Sequence, residues 1–524
     1  MRKINPVYYV LLMSIPLYIG LGSVHLFDWD EINFAECARE MMVSGNYVYP
    51  QIKFEPFWEK PPLFFWLQTM SMHAFGINEF AARLPNALFG TLTLLLIYFT
   101  GKRLHKKTFG FIWAFIYISS LFPFLYFKSG IIDPVFNFFI FSSYAIFIIA
   151  VHEKNFRLLP FIIAGLINGL AILTKGPVGF LLPFVSIIIT FFLYKQKYFK
   201  QLLLFCFSSA AIAMSWFLVW ISINGWSFFM EFMIYQISLF TKPVAGQQQF
   251  LLYHFVIVFF GCFPVSVFAL PVLFNWKKNN SGVVTSSMKI LFWVVMIPFT
   301  IVSTKIAHYS SLAYLPLSFL TAKYLFEKIQ DHKRNKFVIN TYLILGIVWS
   351  LIIFAIITFP LYKESVIPNI KDEFTLANIL ASIWEFEAIS LIAFFIFLGG
   401  VIAAWISLKK GKIIQAIFSH YMALAISLTI IQFKILPHIE QISQGPFINE
   451  IKALQKEGIP VITSGMKSYA PYYYAAIDTS YKNIDMQGIR PLCIVSRNNR
   501  SRPGNIPEDA PYYSRGGYVF YILK

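Results

Sequence analysis

Runs of about 20 apolar residues recur along the chain, and they decide its fold class. Wound as a helix, such a run matches the hydrocarbon thickness of a bilayer. In hydrocarbon each backbone N–H and C=O must find a partner within the protein, so helices of this length satisfy themselves where loops do not. About 13 spans are expected, starting near residues 6, 84, 109, 134, 159, 177, 201, 251, 287, 309, 337, 387 and 413. Only 13% of the residues are charged, against about 25% in a soluble domain. The 58 Phe suit helices facing lipid. The opening Met1-Arg2-Lys3 and its apolar run could pass for a signal peptide. No small-residue cleavage site follows clearly, so it reads as a retained first helix.

The formal charge is +18. The Lys and Arg fall in short clusters between apolar runs, so the charge points to membrane topology rather than to nucleic acid, for which there is no soluble basic module. Lys102-Arg103 with Lys106-Lys107, Lys154 with Arg157, the Lys195–Lys200 cluster, Lys277-Lys278, Lys333-Arg334 and Lys409-Lys410 all fall on one side if the N-terminus is cytoplasmic. The positive-inside rule makes that side the cytoplasm. The long loops 27–83, 226–250 and 363–385, and the C-terminal segment from 434, then lie outside.

In the first external loop, Phe34, Cys37, Ala38, Met41 and Met42 follow Asp30 at helical spacing. Pro61–Phe75 is a second apolar stretch. Both are expected to be helices in the membrane interface, anchoring the loop or roofing a cavity. The chain divides into a membrane domain, 1–433, and a small external α/β domain, 434–524. In the latter, 447–458 reads as an amphipathic helix stopped by Gly458. Segments 460–463, 492–495 and 518–522 read as strands. No Gly-rich phosphate loop and no internal repeat is present, so no nucleotide is expected. Of the four Cys, Cys206 and Cys262 lie in apolar runs. A Cys37–Cys493 disulfide is open to the chain, but nothing argues for it, and no metal-ligand spacing appears.

Ionisable residues next to a bilayer are costly unless wet, paired or metal-bound. Asp28, Asp30 and Glu31 crowd the end of the first span, more densely than a helix N-cap at Asp30 needs. Glu59-Lys60-Pro61 follows, and Lys60 can meet a phosphate as a point charge. Asp133-Pro134, Thr174-Lys175-Gly176-Pro177, and Ser303-Thr304-Lys305 with His308 and Tyr309 make three further external turns. Each alone has a plainer role as turn former or snorkelling cation. Together, several Lys and carboxylates converge on one face from separate turns, which suits a substrate carrying a phosphate and a polar sugar.

These residues, in this order, resemble a known group. Asp30-Glu31, Phe34-Ala35, Ala38-Arg39-Glu40-Met41, Glu59-Lys60-Pro61, Asp133, Thr174-Lys175-Gly176-Pro177 and Lys305 to Pro316 resemble the bacterial aminoarabinose transferase family, which belongs with the protein O-mannosyltransferases in the GT-C class. The resemblance implies 13 membrane helices, a periplasmic C-terminal domain and a multi-pass protein of the bacterial inner membrane. It implies a glycosyltransferase that takes a sugar from an undecaprenyl or other polyprenyl phosphate and passes it to a lipid, glycan or protein acceptor. Asp30 matches the family's first-loop catalytic Asp, a general base where the acceptor is a hydroxyl, and Asp133 matches a second Asp of the cavity. Glu31, Lys60, Arg83, Lys175, Lys305, His308 and Tyr309 are the implied substrate-binding positions, with Lys60 on the donor phosphate. Glu59 matches a position linked to a divalent metal, zinc or magnesium.

The family usually has Arg then Tyr where this chain has Asn33 and Phe34. It also carries an Arg near a Phe-Thr pair after the seventh span; here Ser238-Leu239 precede Phe240-Thr241 and the nearest cation is Lys242. The resemblance therefore leaves the sugar and acceptor open: aminoarabinose or a hexose, on lipid A, another glycan, or protein Ser/Thr. The competing reading is a lipid or glycan transporter or flippase. That would place ionisable groups near mid-bilayer on broken, repeated helices, whereas these charges sit at span ends. A scaffold would not need acids and bases from five turns on one face.

Overall fold

The computed structural model describes residues 5–523 apart from 58, 196, 242–248, 277–281, 332–334, 479–487, 489 and 505, with residues 239–241 and 330–331 described by backbone only. The expected Lys242, Lys277-Lys278 and Lys333-Arg334 positions lie outside the described residues. A helical element stands at each of the 13 expected starts, within several residues. Their lengths are uneven. Seven described helices are long and apolar enough to cross a membrane, or eight with the pair Tyr253–Gly261 and Val265–Leu273, which is bent by 117°. Pro264 stands at that break, where its missing N–H interrupts the ladder. Lys107–Ile118 has only 12 residues, about 18 Å at 1.5 Å per residue. A short helix, Leu121–Tyr126, continues it after a break. The span expected near 309 starts instead at Tyr314, because Ala307–Ala313 winds as a tighter 3-10 turn.

Local sequence sets these boundaries. Asn78 accepts a hydrogen bond from Ala81 N and opens the helix Glu79–Leu104, and Asn335 does the same for Lys336–Val366, satisfying donors that a helix start leaves unpaired. Small residues let helices touch: a Cβ on Gly165 or Gly169 would run into Phe205, Ser209 and Ile212 of the helix Phe199–Asn224, the close packing expected where apolar lipid gives no other drive for association. Arg103 at the end of one helix pairs at 2.7 Å with Glu153 just past the end of another, Asp133–His152. Arg83 and Asp133 lie at the opposite ends of those two helices.

The first loop departs from expectation. Both helices form, as Asp30–Ser44 and Leu63–Phe75. The second buries one face and exposes Met70 on the other. The first is not an interfacial anchor, since every residue from Glu31 to Met41 is buried. Its side chains share a core with Phe447, Ile451, Val461 and Phe520 of the C-terminal unit. Between the two helices runs a hairpin of β1 (Gln51–Ile52) and β2 (Glu55–Pro56). Its turn residues, Lys53 and Phe54, hold φ of 61 and 57, the left-handed pair a tight hairpin requires. The Glu40 carboxyl accepts both of their N–H groups, at 2.6 and 2.7 Å. Enclosure pushes the Glu40 carboxyl up to about 9, with neighbouring Glu36 adding to the effect.

The C-terminal unit has the expected helix, Gly445–Lys456, and a four-stranded sheet. Its strands are β3 (Val461–Thr463), β4 (Leu492–Arg497), β5 (Tyr512–Arg515) and β6 (Tyr518–Leu523), in the order β3-β4-β6-β5. β3 and β4 run parallel and the other pairs antiparallel. β5 was not expected: it is an exposed edge with little apolar alternation. Cys37 and Cys493 are both buried free thiols, so they form no disulfide.

Candidate active site

Helix ends deliver the charges. Asp133 is the first residue of Asp133–His152, with Pro134 behind it, a start that Pro and an acidic side chain both favour. Lys175 is the last residue of Leu159–Lys175, stopped by Gly176 at φ 88, where the helix dipole favours a cation. Lys175 Nζ donates to Asp133 Oδ1 at 2.6 Å and lies 4.7 Å from the centre of the Tyr309 ring. His308, in the 3-10 turn, places Nε2 at 3.2 Å from Asp30 Oδ2 and 3.5 Å from Asp133 Oδ2. Asn137, one helical turn beyond Asp133, donates to Ser311 Oγ at 2.7 Å and fixes that turn against the helix. Asp30 does not cap its helix; the cap position is Trp29, without a side-chain bond. The Asp30 carboxylate is thus left for His308.

Asp30, Lys175, His308 and Tyr309 line a cavity of about 610 Å³, with Lys60, Glu59, Tyr235 and Lys467 also on its wall. Lys60 Nζ is 3.9 Å from Glu59 Oε2, and Gln236 donates to the Glu59 carbonyl at 2.9 Å, tying the Glu59-Lys60 loop to the helix Trp226–Thr241. Loss of bulk water opposes the charge on Asp30, but His308, Lys60 and Lys175 together outweigh it and hold the carboxyl below its usual range. Enclosure drives the Lys60 ammonium below its usual range in spite of Glu59. A buried cation weakened in this way gains most from an incoming anion. Asp28 opens to the cavity's water yet is ringed by protein, and that enclosure pushes its carboxyl up to about 6 against the pull of Ser468 and Arg497.

Three expected substrate contacts are engaged within the protein, although Glu31 and Arg83 stand on the cavity wall. Arg83 uses all five of its N–H donors inside the protein. Nε and Nη2 grip Glu31 at 3.0 and 2.8 Å, while the remaining donors reach the carbonyls of Leu21, Val24 and His25 at 2.7 to 2.9 Å. Glu31 also accepts from Phe27 N and Gly130 N. The pair clamps the end of the first span to the first loop and leaves no donor for a phosphate. Lys305 is buried off the cavity wall and donates to Val302 O at 2.8 Å; the tight 3-10 turn carries only its neighbours inward. For Glu59, no group of three His, Cys, Asp or Glu able to hold a metal occurs among the described residues. Its nearest charged neighbour is the Lys60 ammonium, which repels a divalent ion, so the residues do not fit a metal there.

Other residues enter the site without having been expected. Lys128 donates to the carbonyls of Pro16 and Ile19 at 2.9 and 2.7 Å and lines the cavity; enclosure and Arg83 lower its ammonium to about 8. A Lys in the same short turn as Asp133, five residues before it, was a usable signal. Lys467 comes from the C-terminal unit, with Nζ 4.5 Å from the centre of the Trp29 ring. Nothing local in the sequence marks it.

Fold and site together define a GT-C-type polytopic membrane protein. The structure superimposes on the crystal structure of ArnT from Cupriavidus metallidurans bound to undecaprenyl phosphate, with a TM-score of 0.77 over 98% of this chain and 97% of that one, at 16% identity. Residues 59–223 match the family described as dolichyl-phosphate-mannose-protein mannosyltransferase. The chain is 26% identical to an undecaprenyl phosphate-alpha-4-amino-4-deoxy-L-arabinose arabinosyl transferase of Proteus mirabilis, over 73% of this chain and 70% of that one. It is 29% identical to the Wigglesworthia glossinidia brevipalpis enzyme of the same name, over 69% and 66%. The resemblance to aminoarabinose transferases thus holds in sequence and in fold.

Proposed function

We infer that this chain is a glycosyltransferase that takes a sugar from a polyprenyl phosphate, with undecaprenyl phosphate as the carrier, and passes it to an acceptor at the outer face of the bacterial inner membrane. One observation carries the reading. Asp30, His308, Lys175 and Lys60, from four separate segments, meet on the wall of one cavity at the ends of the helices, and buried Asp133 stands behind Lys175 and His308. The relatives' carrier lipid supports undecaprenyl phosphate here. The basic loops at the other helix ends support a cytoplasmic N-terminus and a periplasmic C-terminal unit.

Lys60 and Lys175 stabilise the charge that grows on the departing lipid phosphate, an effect strengthened away from bulk water. Asp133, buried, holds Lys175 in place. Asp30, at the open side, meets the reacting sugar and acceptor. Charges gathered at one face, rather than at mid-bilayer, favour transfer over transport. The test is mass spectrometry of lipid A, glycans and periplasmic proteins from cells with and without the chain. A sugar present only with the chain is expected; an unchanged set of glycoconjugates, with a carrier lipid displaced across the membrane instead, would establish a transporter.

A further inference from the structure

We propose that Lys467 is the residue through which the C-terminal unit binds a negatively charged group on the acceptor. The proposal rests on the polyprenyl-phosphate transferase reading. Four lysines line the cavity: Lys60, Lys128, Lys175 and Lys467. Three are engaged. Lys175 donates to Asp133, Lys128 donates to the carbonyls of Pro16 and Ile19, and Lys60 lies 3.9 Å from the Glu59 carboxylate. Lys467 has no hydrogen bond and no ion pair among the described residues. Its ammonium rests instead over the ring of Trp29, 4.5 Å from the ring centre. That contact holds the charge in place without consuming an N–H donor on an acceptor atom. An ammonium held in this way keeps its donors for an incoming anion.

Trp29 is itself fixed, and it too lines the cavity. The Asn33 side chain donates to Trp29 O at 3.0 Å and accepts from Trp29 Nε1 at 3.1 Å. Tyr469 meets the indole edge-on at 6.2 Å. Lys53, with Nζ 5.5 Å from the centre of the Tyr469 ring, feels the repulsion of Lys467. Asp28, beside Trp29 in the chain, is committed to a hydrogen bond with Ser468 and to the charge of Arg497. An anion bound at Lys467 would supply the countercharge that the protein does not.

This cation stands apart from those assigned to the donor phosphate. The charges that hold Asp30 are His308, Lys60 and Lys175, and Lys60 and Lys175 also act on each other. Lys467 comes from the C-terminal unit and sits on the residue before Asp30. A donor whose phosphate lies at Lys60 and Lys175 leaves Lys467 for the second substrate.

The test uses the purified full chain and two ligands that differ in one group, an alkyl glycoside and the same glycoside carrying a phosphate monoester. Titration should show the phosphorylated glycoside bound about tenfold more tightly, an advantage that shrinks as salt is raised. Lys467→Met, which keeps an apolar stem on Trp29, should remove the advantage, and Lys467→Arg should keep it. Affinity for undecaprenyl phosphate and the melting temperature should be unchanged in both variants. An unaltered chain that does not prefer the phosphorylated ligand, or a preference that survives Lys467→Met, overturns the proposal while the transferase reading stands. A loss confined to undecaprenyl phosphate would give Lys467 to the donor, and a lowered melting temperature with the preference intact would make it a tether between the first loop and the C-terminal unit; either result overturns the proposal. No binding of undecaprenyl phosphate, with no transfer from undecaprenyl-phosphate-linked pentoses or hexoses, would overturn the transferase reading as well.

Discussion

Replacing Arg83 separates a clamp from a phosphate ligand. In Arg83→Lys, three donors on a single nitrogen cannot span the Glu31 carboxylate and three carbonyls spread over residues 21–25. At least two of the five Arg83 hydrogen bonds are lost, each worth about 1–3 kcal/mol for a charged donor, so the loss is about 2–6 kcal/mol. Arg83→Met removes the charge as well and leaves a buried Glu31 carboxylate, a further cost of about 3–5 kcal/mol. Native stabilities are about 5–15 kcal/mol, so little folded Arg83→Met protein should be recovered. Glu31→Gln combined with Arg83→Met should be less harmful than the sum of the two. The pair also has a pH signature. Burial opposes the Glu31 charge, but Arg83 more than offsets it and holds the carboxyl below its ordinary 4.5. Its contribution is therefore complete above about 4.5 and is lost as pH falls through the depressed folded value. The assay is thermal unfolding in detergent, paired with undecaprenyl phosphate binding to the folded fraction. If Arg83→Lys melts like the parent but binds the lipid tenfold more weakly, the clamp argument fails.

Four further outcomes are expected. Asp30→Asn should fold normally and lose about 10²–10⁴-fold in transfer rate; normal transfer would remove Asp30 from the site. Lys60→Ala should weaken undecaprenyl phosphate binding by about tenfold or more, measured by titration, since it deletes an enclosed point charge. Lys305→Met should leave that affinity unchanged, because its ammonium is spent on Val302 O; a tenfold loss would return Lys305 to the cavity. Asp28 sits at about 6 rather than 3.8, so the stability it lends is full below about 3.8 and is lost as pH rises through about 6. Asp28→Asn should flatten that part of the melting profile, and identical slopes would contradict the assignment.

The membrane architecture was legible because apolar run length is set by bilayer thickness and needs no tertiary information. Asp30, Asp133, Lys175 and His308 were legible as charges that should not stand beside a bilayer without a reason. Which charge does what was hidden. Arg83 and Lys60 look alike as cations near the outer face, and only the carbonyls of residues 21–25 show that one is consumed by the fold. Lys305 and His308 are three residues apart, yet a 3-10 turn sends just one into the cavity. The helix Asp30–Ser44 reads as amphipathic because its polar residues are visible, while its partners lie about 400 positions away. Lys467 was out of reach for the same reason.

That long separation has a consequence for how the molecule is made. Leu26 N donates to the Tyr474 hydroxyl, Asp28 N to Gln444, and Arg39 to the Ile477 carbonyl. The residues that frame Asp30 thus leave the ribosome hundreds of positions ahead of those that hold them in place. A chain made only through its membrane helices carries Asp30, Lys60, Asp133, Lys175 and His308 but has no finished pocket. The pocket is complete only once the C-terminal unit has been made and has packed against the first loop.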